Sequence, residues 1–168
     1  MKKTGLFYSF RSRKTRSIAQ KISEMMGPDT VEQIDADHVT TGDFIRFDYL
    51  ILGVPTWFDG ELPVYWDEFV PAIREMDLTG KKIAVFGLAD QVGYPENFGD
   101  AVGIMTDLLR KRNAEIIGET SAEGYHFESS RAFHNGKFTG LLLDQENQGR
   151  MTDERLKSWI SEVKKAFD

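Results

Sequence analysis

The run Tyr49-Leu50-Ile51-Leu52-Gly53-Val54 carries no charge and passes at once into Pro55-Thr56-Trp57-Phe58-Asp59-Gly60. Such a short apolar run, closed by a loop that opens on proline and ends on glycine, reads as a strand buried on both faces. Lys82-Ile83-Ala84-Val85-Phe86-Gly87 repeats the pattern and leads through Leu88-Ala89 into Asp90-Gln91-Val92-Gly93-Tyr94. Parallel strands place such following loops on one edge of the sheet, where ligand crevices form outside the carboxyl ends. Trp57 and Tyr94 would then share that edge, and two aromatics there suit a flat, conjugated ligand held between them. The pairing points to a planar redox cofactor rather than to a hydrolytic site. Gly60, Gly87 and Gly93 would let the backbone come close to it.

Around these two runs the apolar pattern alternates short runs with longer amphipathic stretches, the mark of an α/β sheet. Gly5-Leu6-Phe7-Tyr8 reads as a first strand. Residues 15–26 form its helix, with Ile18, Ala19, Ile22 and Met25 on one face and Gly27-Pro28 ending it. A weaker strand is expected over 30–34. Trp66, Phe69, Val70 and Ile73 predict a helix over 65–76. Phe98, Ala101, Val102, Met105, Leu108 and Leu109 predict another over 97–112. Residues 114–118 and 140–143 are strand-like, and 152–167 form a last helix with Thr152 as N-cap and Asp153 and Glu154 in its first turn. Right-handed crossovers would put helices on both faces of about five strands. Residues 120–139 are polar and without periodicity, and a segment of that length suggests a functional insertion. The expectation is a single domain spanning 1–168.

At 168 residues, 40% hydrophobic and 29% charged, the chain has the composition of a soluble globular protein. A formal net charge of −6 and a pI near 5.1 disfavour general nucleic-acid binding. The same acidity fits either steering toward basic partners or simple solubility. With no cysteine, disulfides, thiolate metal sites and thiol nucleophiles are excluded, so redox chemistry would need an organic cofactor or a metal on other ligands. No signal-peptide core and no membrane-length apolar stretch is seen, which leads to a cytoplasmic expectation with no membrane partner.

Ser9-Phe10-Arg11-Ser12-Arg13-Lys14-Thr15-Arg16 joins the first strand to the N-terminus of its helix. Free N–H groups and the helix dipole favour an anion there, Ser12 and Thr15 add hydroxyls, and Arg11, Arg13 and Lys14 add charge. The plainer reading is a basic solvated loop in which Thr15 starts a helix. There is no dinucleotide or P-loop glycine pattern, since no glycine lies between Gly5 and Gly27. Asp90 stands where a carboxylate would accept hydrogen bonds from a heterocycle, or where it would simply organise its loop. His38, His126 and His134 are too scattered for a metal cluster or a catalytic pair, and Ser129-Ser130 has no glycine elbow. Asp59, Glu61, Asp67 and Glu68, with Asp144 and Glu146, look like an acidic rim.

These segments, taken together, resemble the flavodoxins, the long-chain subgroup in particular, over essentially the whole chain. The match runs through Gly5 to Tyr8 with Thr15, Pro55-Thr56-Trp57 to Leu62, and Phe86-Gly87 to Phe98. It continues through Gly124-Tyr125-His126-Phe127-Glu128-Ser129-Ser130 and Asn135 to Gln148. The resemblance implies a doubly wound parallel sheet of order 2-1-3-4-5, with 120–139 as the insertion that splits the fifth strand, and one FMN. Trp57 would pack on the inner face of the isoalloxazine and Tyr94 on the outer. Thr56, Phe58, Asp59, Gly60, Leu88, Ala89 and Asp90 would meet the ring edges, Asn97 and Phe98 would complete that side, and Glu146 would lie near the ribityl chain. Residues Phe10 to Thr15 would hold the phosphate. The implied activity is low-potential one-electron transfer without substrate turnover, tuned by stacking, by negative charge and by a backbone flip near Phe58-Asp59.

The same resemblance implies partners, namely a reductase or a pyruvate oxidoreductase as donor and an acceptor enzyme, nitrogenase among the candidates. They would dock transiently on Asp59, Glu61, Asp67 and Glu96, and the protein would be a monomer. The phosphate loop departs from the family pattern: Phe10 lacks a hydroxyl, and Arg13 stands where a glycine is usual, in a conformation a Cβ would oppose. Leu88-Ala89 depart as well. Either Arg11 and Arg13 replace the lost donors by charge-assisted bonds, or the loop relaxes and FMN binds weakly or yields to a flavin without phosphate. An FMN-dependent enzyme or a flavin-poor binding module on the same fold is the alternative.

Overall fold

In the computed structural model, which describes residues 3–168, the chain begins with β1 (Thr4–Tyr8), all five residues of which are buried. Then come α1 (Arg13–Met26), β2 (Val31–Asp35), α2 (Thr41–Ile45), β3 (Tyr49–Gly53), α3 (Val64–Asp67), α4 (Val70–Arg74), β4 (Lys82–Leu88) and α5 (Asp100–Lys111). After them lie β5 (Glu115–Ile117), the two-residue strands β6 (Thr120–Ser121), β7 (Phe133–His134) and β8 (Lys137–Phe138), then β9 (Leu141–Leu143), α6 (Gln145–Gln148) and α7 (Thr152–Phe167).

The main sheet is parallel, in the order β2-β1-β3-β4-β5. β5 pairs with the first half of β4, from Lys82↔Glu115 to Ala84↔Ile117. β9 pairs with its second half, from Phe86↔Leu141 to Leu88↔Leu143. Residues 118–140 leave and rejoin the sheet between these two short strands, and β6, β8 and β7 form a small antiparallel sheet within them.

The strands read as unbroken apolar runs because both faces are covered. Phe7, Leu50, Leu52, Ile83 and Val85 point to the side of Trp66, Ile73, Val102, Met105 and Leu109. Leu6, Ile51, Ala84 and Phe86 point to the side of Ile18, Ile22, Leu156, Trp159 and Val163. Period-two alternation along each strand thus feeds two cores, one under α1 and α7 and one under α3, α4 and α5.

Three expectations need correction. The helix predicted over 65–76 is two short helices, because Pro71 has no N–H and its ring would strike the Asp67 carbonyl of a continuous helix. The helix predicted over 97–112 starts at Asp100, since Gly99 sits in the left-handed region at φ 64°. Thr152 is not an N-cap: it is the first residue of α7, and its hydroxyl is buried without a partner.

Candidate functional site

The carboxyl edge of the sheet gathers the ends of β1, β3 and β4, and a cavity of about 250 Å³ opens there. Its lining comes from the start of α1 (Lys14), the loop after β3 (Thr56, Phe58), the end of β4 and its following loop (Leu88, Ala89, Asp90, Tyr94, Asn97), and α6 (Glu146). Residues far apart in sequence meet because parallel strands deliver every following loop to the same edge.

The loop after β3 is held from within. Trp66 Nε1 donates to the Gly53 carbonyl at 2.9 Å, and Ala101 N donates to Thr56 Oγ1 at 3.1 Å. Trp57 and Glu61 exchange backbone bonds at 2.8 and 2.7 Å, closing a tight turn over Phe58, Asp59 and Gly60. Phe58 adopts φ 48°, a conformation that an aromatic residue rarely takes. Gly60 is required twice: its φ is 91°, and a Cβ there would lie 2.6 Å from Asp100 Oδ2. Gly87 likewise admits the Val54 carbonyl, and Gly93 admits Asp90. At these glycines the neighbouring protein atoms alone already leave no room for a Cβ. Phe58 and Tyr94 are cavity walls, 69% and 46% exposed. Trp57 stands just outside the lining, edge-on to Phe58 at 6.3 Å and to Tyr65 at 5.9 Å.

The loop after β4 is organised by Asp90, whose Oδ1 accepts from Val92 N, Gly93 N and Asn147 Nδ2. The Gly93 N–H leads in holding this carboxyl below its usual range against the opposing effect of burial, and Asn147, Val92 and the Lys14 charge add smaller pulls in the same direction as Gly93. Beneath it lies a network that the sequence did not reveal. Buried Asp144 accepts from Gln91 N at 3.0 Å and Gln91 Nε2 at 2.7 Å, and Gln91 Oε1 accepts from His126 N at 2.7 Å. Asp144, expected on an acidic rim, is instead 1% exposed and caps α6 through Asn147 N. Phe98 also leaves the site: its ring is fully buried, 5.5 Å from Phe127 and 5.7 Å from Tyr125 in the core under residues 118–140.

The phosphate loop shows what an anion would find. Thr15 is 1% exposed and its hydroxyl has no partner, while Ser12, the N-cap of α1, makes no side-chain cap bond. The first-turn N–H groups of a helix have no intrahelical acceptor. Arg13 is simply the first helical residue. Among the described residues only Phe58, Asn113 and Asn135 are non-glycines with positive φ, so the expected glycine-only geometry does not arise at Arg13. The guanidinium of Arg11 is turned to Asp37, and Phe10 N donates to Asp35 Oδ1 at 3.2 Å. Lys14 reaches across the cavity to pair with Glu146.

A doubly wound parallel sheet with an unsatisfied helix N-terminus beside an aromatic-walled cleft defines a binder of a flat, phosphate-bearing ligand. Residues 6–159 match the flavodoxin family model, and the chain belongs to the flavodoxin family. It is 42% identical to the flavodoxin of Nostoc sp. (strain PCC 7120), over 99% of this chain and 98% of the relative. It is 37% identical to flavodoxin 1 of Escherichia coli (strain K12), over 95% and 92%. The crystal structure of Fusobacterium nucleatum flavodoxin bound to flavin mononucleotide superposes with a TM-score of 0.94 at 33% identity, over the full length of both chains.

Proposed function

We propose that the cleft binds FMN and that the chain serves as a low-potential one-electron carrier with no substrate of its own. The observation that carries the reading is the buried, unpartnered Thr15 hydroxyl at the N-terminus of α1, facing the same sheet edge as Phe58 and Tyr94. The residues present fit the group. Thr15, Ser12 and the first-turn N–H groups of α1 hold the phosphate, with the helix dipole adding to the attraction. Lys14 and Glu146 flank the ribityl region. Leu88, Ala89, Asp90 and Asn97 border the ring, and Phe58, Trp57 and Tyr94 shield its faces from water. Bound FMN supplies the electron-accepting chemistry.

The chain sets how easily an electron enters. Asp59, Glu61, Asp67 and Glu96 are all exposed. The first lies within the turn beside the cleft and the second closes it, and their field disfavours added negative charge nearby, which lowers the potential. We place the transient docking of redox partners, a reductase and an acceptor enzyme such as nitrogenase, on this acidic edge. We read the protein as a cytoplasmic monomer, with 120–139 inserted into the fifth strand of a single domain. No helix among the described residues is long and apolar enough to cross a membrane. Titrating the apoprotein with FMN and with riboflavin, followed by flavin fluorescence, tests the cleft. One FMN per chain, bound more tightly than riboflavin, is expected. Equal affinity for the two would remove the phosphate site from the account.

A further inference from the structure

Asp37 lies outside the cavity, on the single 3₁₀ turn Ala36–His38 that follows β2. Its side chain is only 6% exposed, and its Oδ2 accepts from Arg11 Nε at 2.6 Å and from Arg11 Nη2 at 2.5 Å. Arg11 is 84% exposed, so a solvent-facing side chain of the phosphate loop is drawn onto a carboxylate that is already buried. Next to it Asp35 Oδ1 accepts from Phe10 N at 3.2 Å and from Asp37 N at 3.1 Å. Two carboxylates, two residues apart, therefore grip two consecutive residues of the loop, one by its backbone and one by its side chain. The grip ends one residue before Ser12, the N-cap of α1.

The remaining oxygen of Asp37, Oδ1, is buried and has no partner. Among the described residues Arg11 is the cation paired with this carboxylate. A buried carboxylate stripped of its cation is costly, so Asp37 holds Arg11 in place. A guanidinium held this way has its Nε and Nη2 turned to Asp37, so part of its donor set and charge is already engaged away from the cavity.

We propose that Asp37 is a positioning residue of the phosphate loop. Acting through Arg11, it fixes the chain in the shape that presents Ser12, Thr15 and the first-turn N–H groups of α1 to a phosphate. Arg11 serves as a stake rather than as a phosphate ligand. The inference rests on the FMN reading and adds to it a determinant of phosphate recognition that touches no part of the ligand. Releasing the stake leaves the loop to be ordered at the moment of binding, which weakens affinity for the phosphate-bearing flavin. A flavin without phosphate does not depend on that loop.

The test is a fluorescence titration with FMN and with riboflavin of the wild-type apoprotein, Asp37→Asn, Arg11→Gln and the double variant. Each single substitution should weaken FMN binding roughly tenfold, the scale of one charge-assisted hydrogen bond. Riboflavin affinity should change by less than about twofold, and the double variant should bind FMN no worse than the weaker single, as for two members of one interaction. Tighter FMN binding by Asp37→Asn would overturn the inference, by showing Arg11 to be a phosphate ligand that Asp37 withholds. Equal losses for both flavins, or FMN affinity unchanged in both singles, would overturn it as well. Wild-type protein that binds no FMN would instead bring down the flavin reading, and this inference with it.

Discussion

Thr15 has a hydroxyl that the folded chain leaves without a partner, at a position 1% exposed to solvent. Such a group destabilises the apoprotein and becomes useful only when an acceptor arrives. Thr15→Val, nearly the same size, should therefore leave the apoprotein as stable or more stable by about 1 kcal/mol while weakening FMN binding about tenfold or more. Denaturant unfolding and FMN titration of the same variant read the two effects. Losses in both would mean that the hydroxyl is structural. Thr15, Lys14 and Tyr94 were legible in the sequence because position alone, at the end of a strand or the start of a helix, marks them. Asp37, Gln91 and Asp144 were not, because Asp37 meets Arg11 across 26 residues and Asp144 meets Gln91 across 53. Only the register of the sheet brings these pairs together. Phe98 was misplaced because an aromatic at helical spacing next to a ligand loop looks the same whether it faces the ligand or the core.

At the level of elements, the turn from Trp57 to Glu61 keeps Phe58 at φ 48° by closing the backbone on either side of it. Phe58→Val places a β-branched residue in that region and should cost about 1–2 kcal/mol in denaturant unfolding, although the native side chain is largely exposed. The segment between β5 and β9 carries its own signature in Tyr125. Burial, with a smaller push from Asp144 and against the pull of Arg155, raises its pKa from 10.0 to about 12, and its hydroxyl donates to the Leu142 carbonyl at 2.5 Å. Above pH 10 the unfolded chain loses this proton while the folded chain keeps it to about pH 12, so stability falls as pH rises through that window. Wild type should lose about 2–3 kcal/mol there. Tyr125→Phe should show a shallower alkaline limb and lie about 1 kcal/mol lower at neutral pH for want of the hydrogen bond. Equal slopes for the two proteins would contradict the assignment.

The strands were legible as elements because burial on both faces writes itself as unbroken apolar runs. The break at Pro71 was legible in principle, but the apolar spacing around it outweighed one residue. The hairpin of β7 and β8 had a local signal in Asn135-Gly136, whose φ values of 52° and 81° suit a tight two-residue turn. Two-residue strands are too short for alternation to mark them, so the segment read as featureless.

For the whole molecule, the net charge of −6 and the exposed carboxylates near the cleft would make the proposed association with a basic partner depend on salt. Glu61→Lys with Asp67→Lys should slow electron transfer from a reductase at low ionic strength by about tenfold and lose that effect at high salt. A defect that persists at high salt would place the cause at the flavin rather than at docking. The sheet order fixes why the cleft sits where it does: neighbouring strands β1, β3 and β4 all end at one edge, and α1 starts from it. On the proposed reading this edge holds one FMN and passes electrons singly. Potentiometric titration of the FMN-loaded protein, followed by its visible spectrum, tests it most directly. Two resolved one-electron steps, both shifted from those of free FMN, are the predicted result; a single two-electron step at the potential of free FMN would contradict the account.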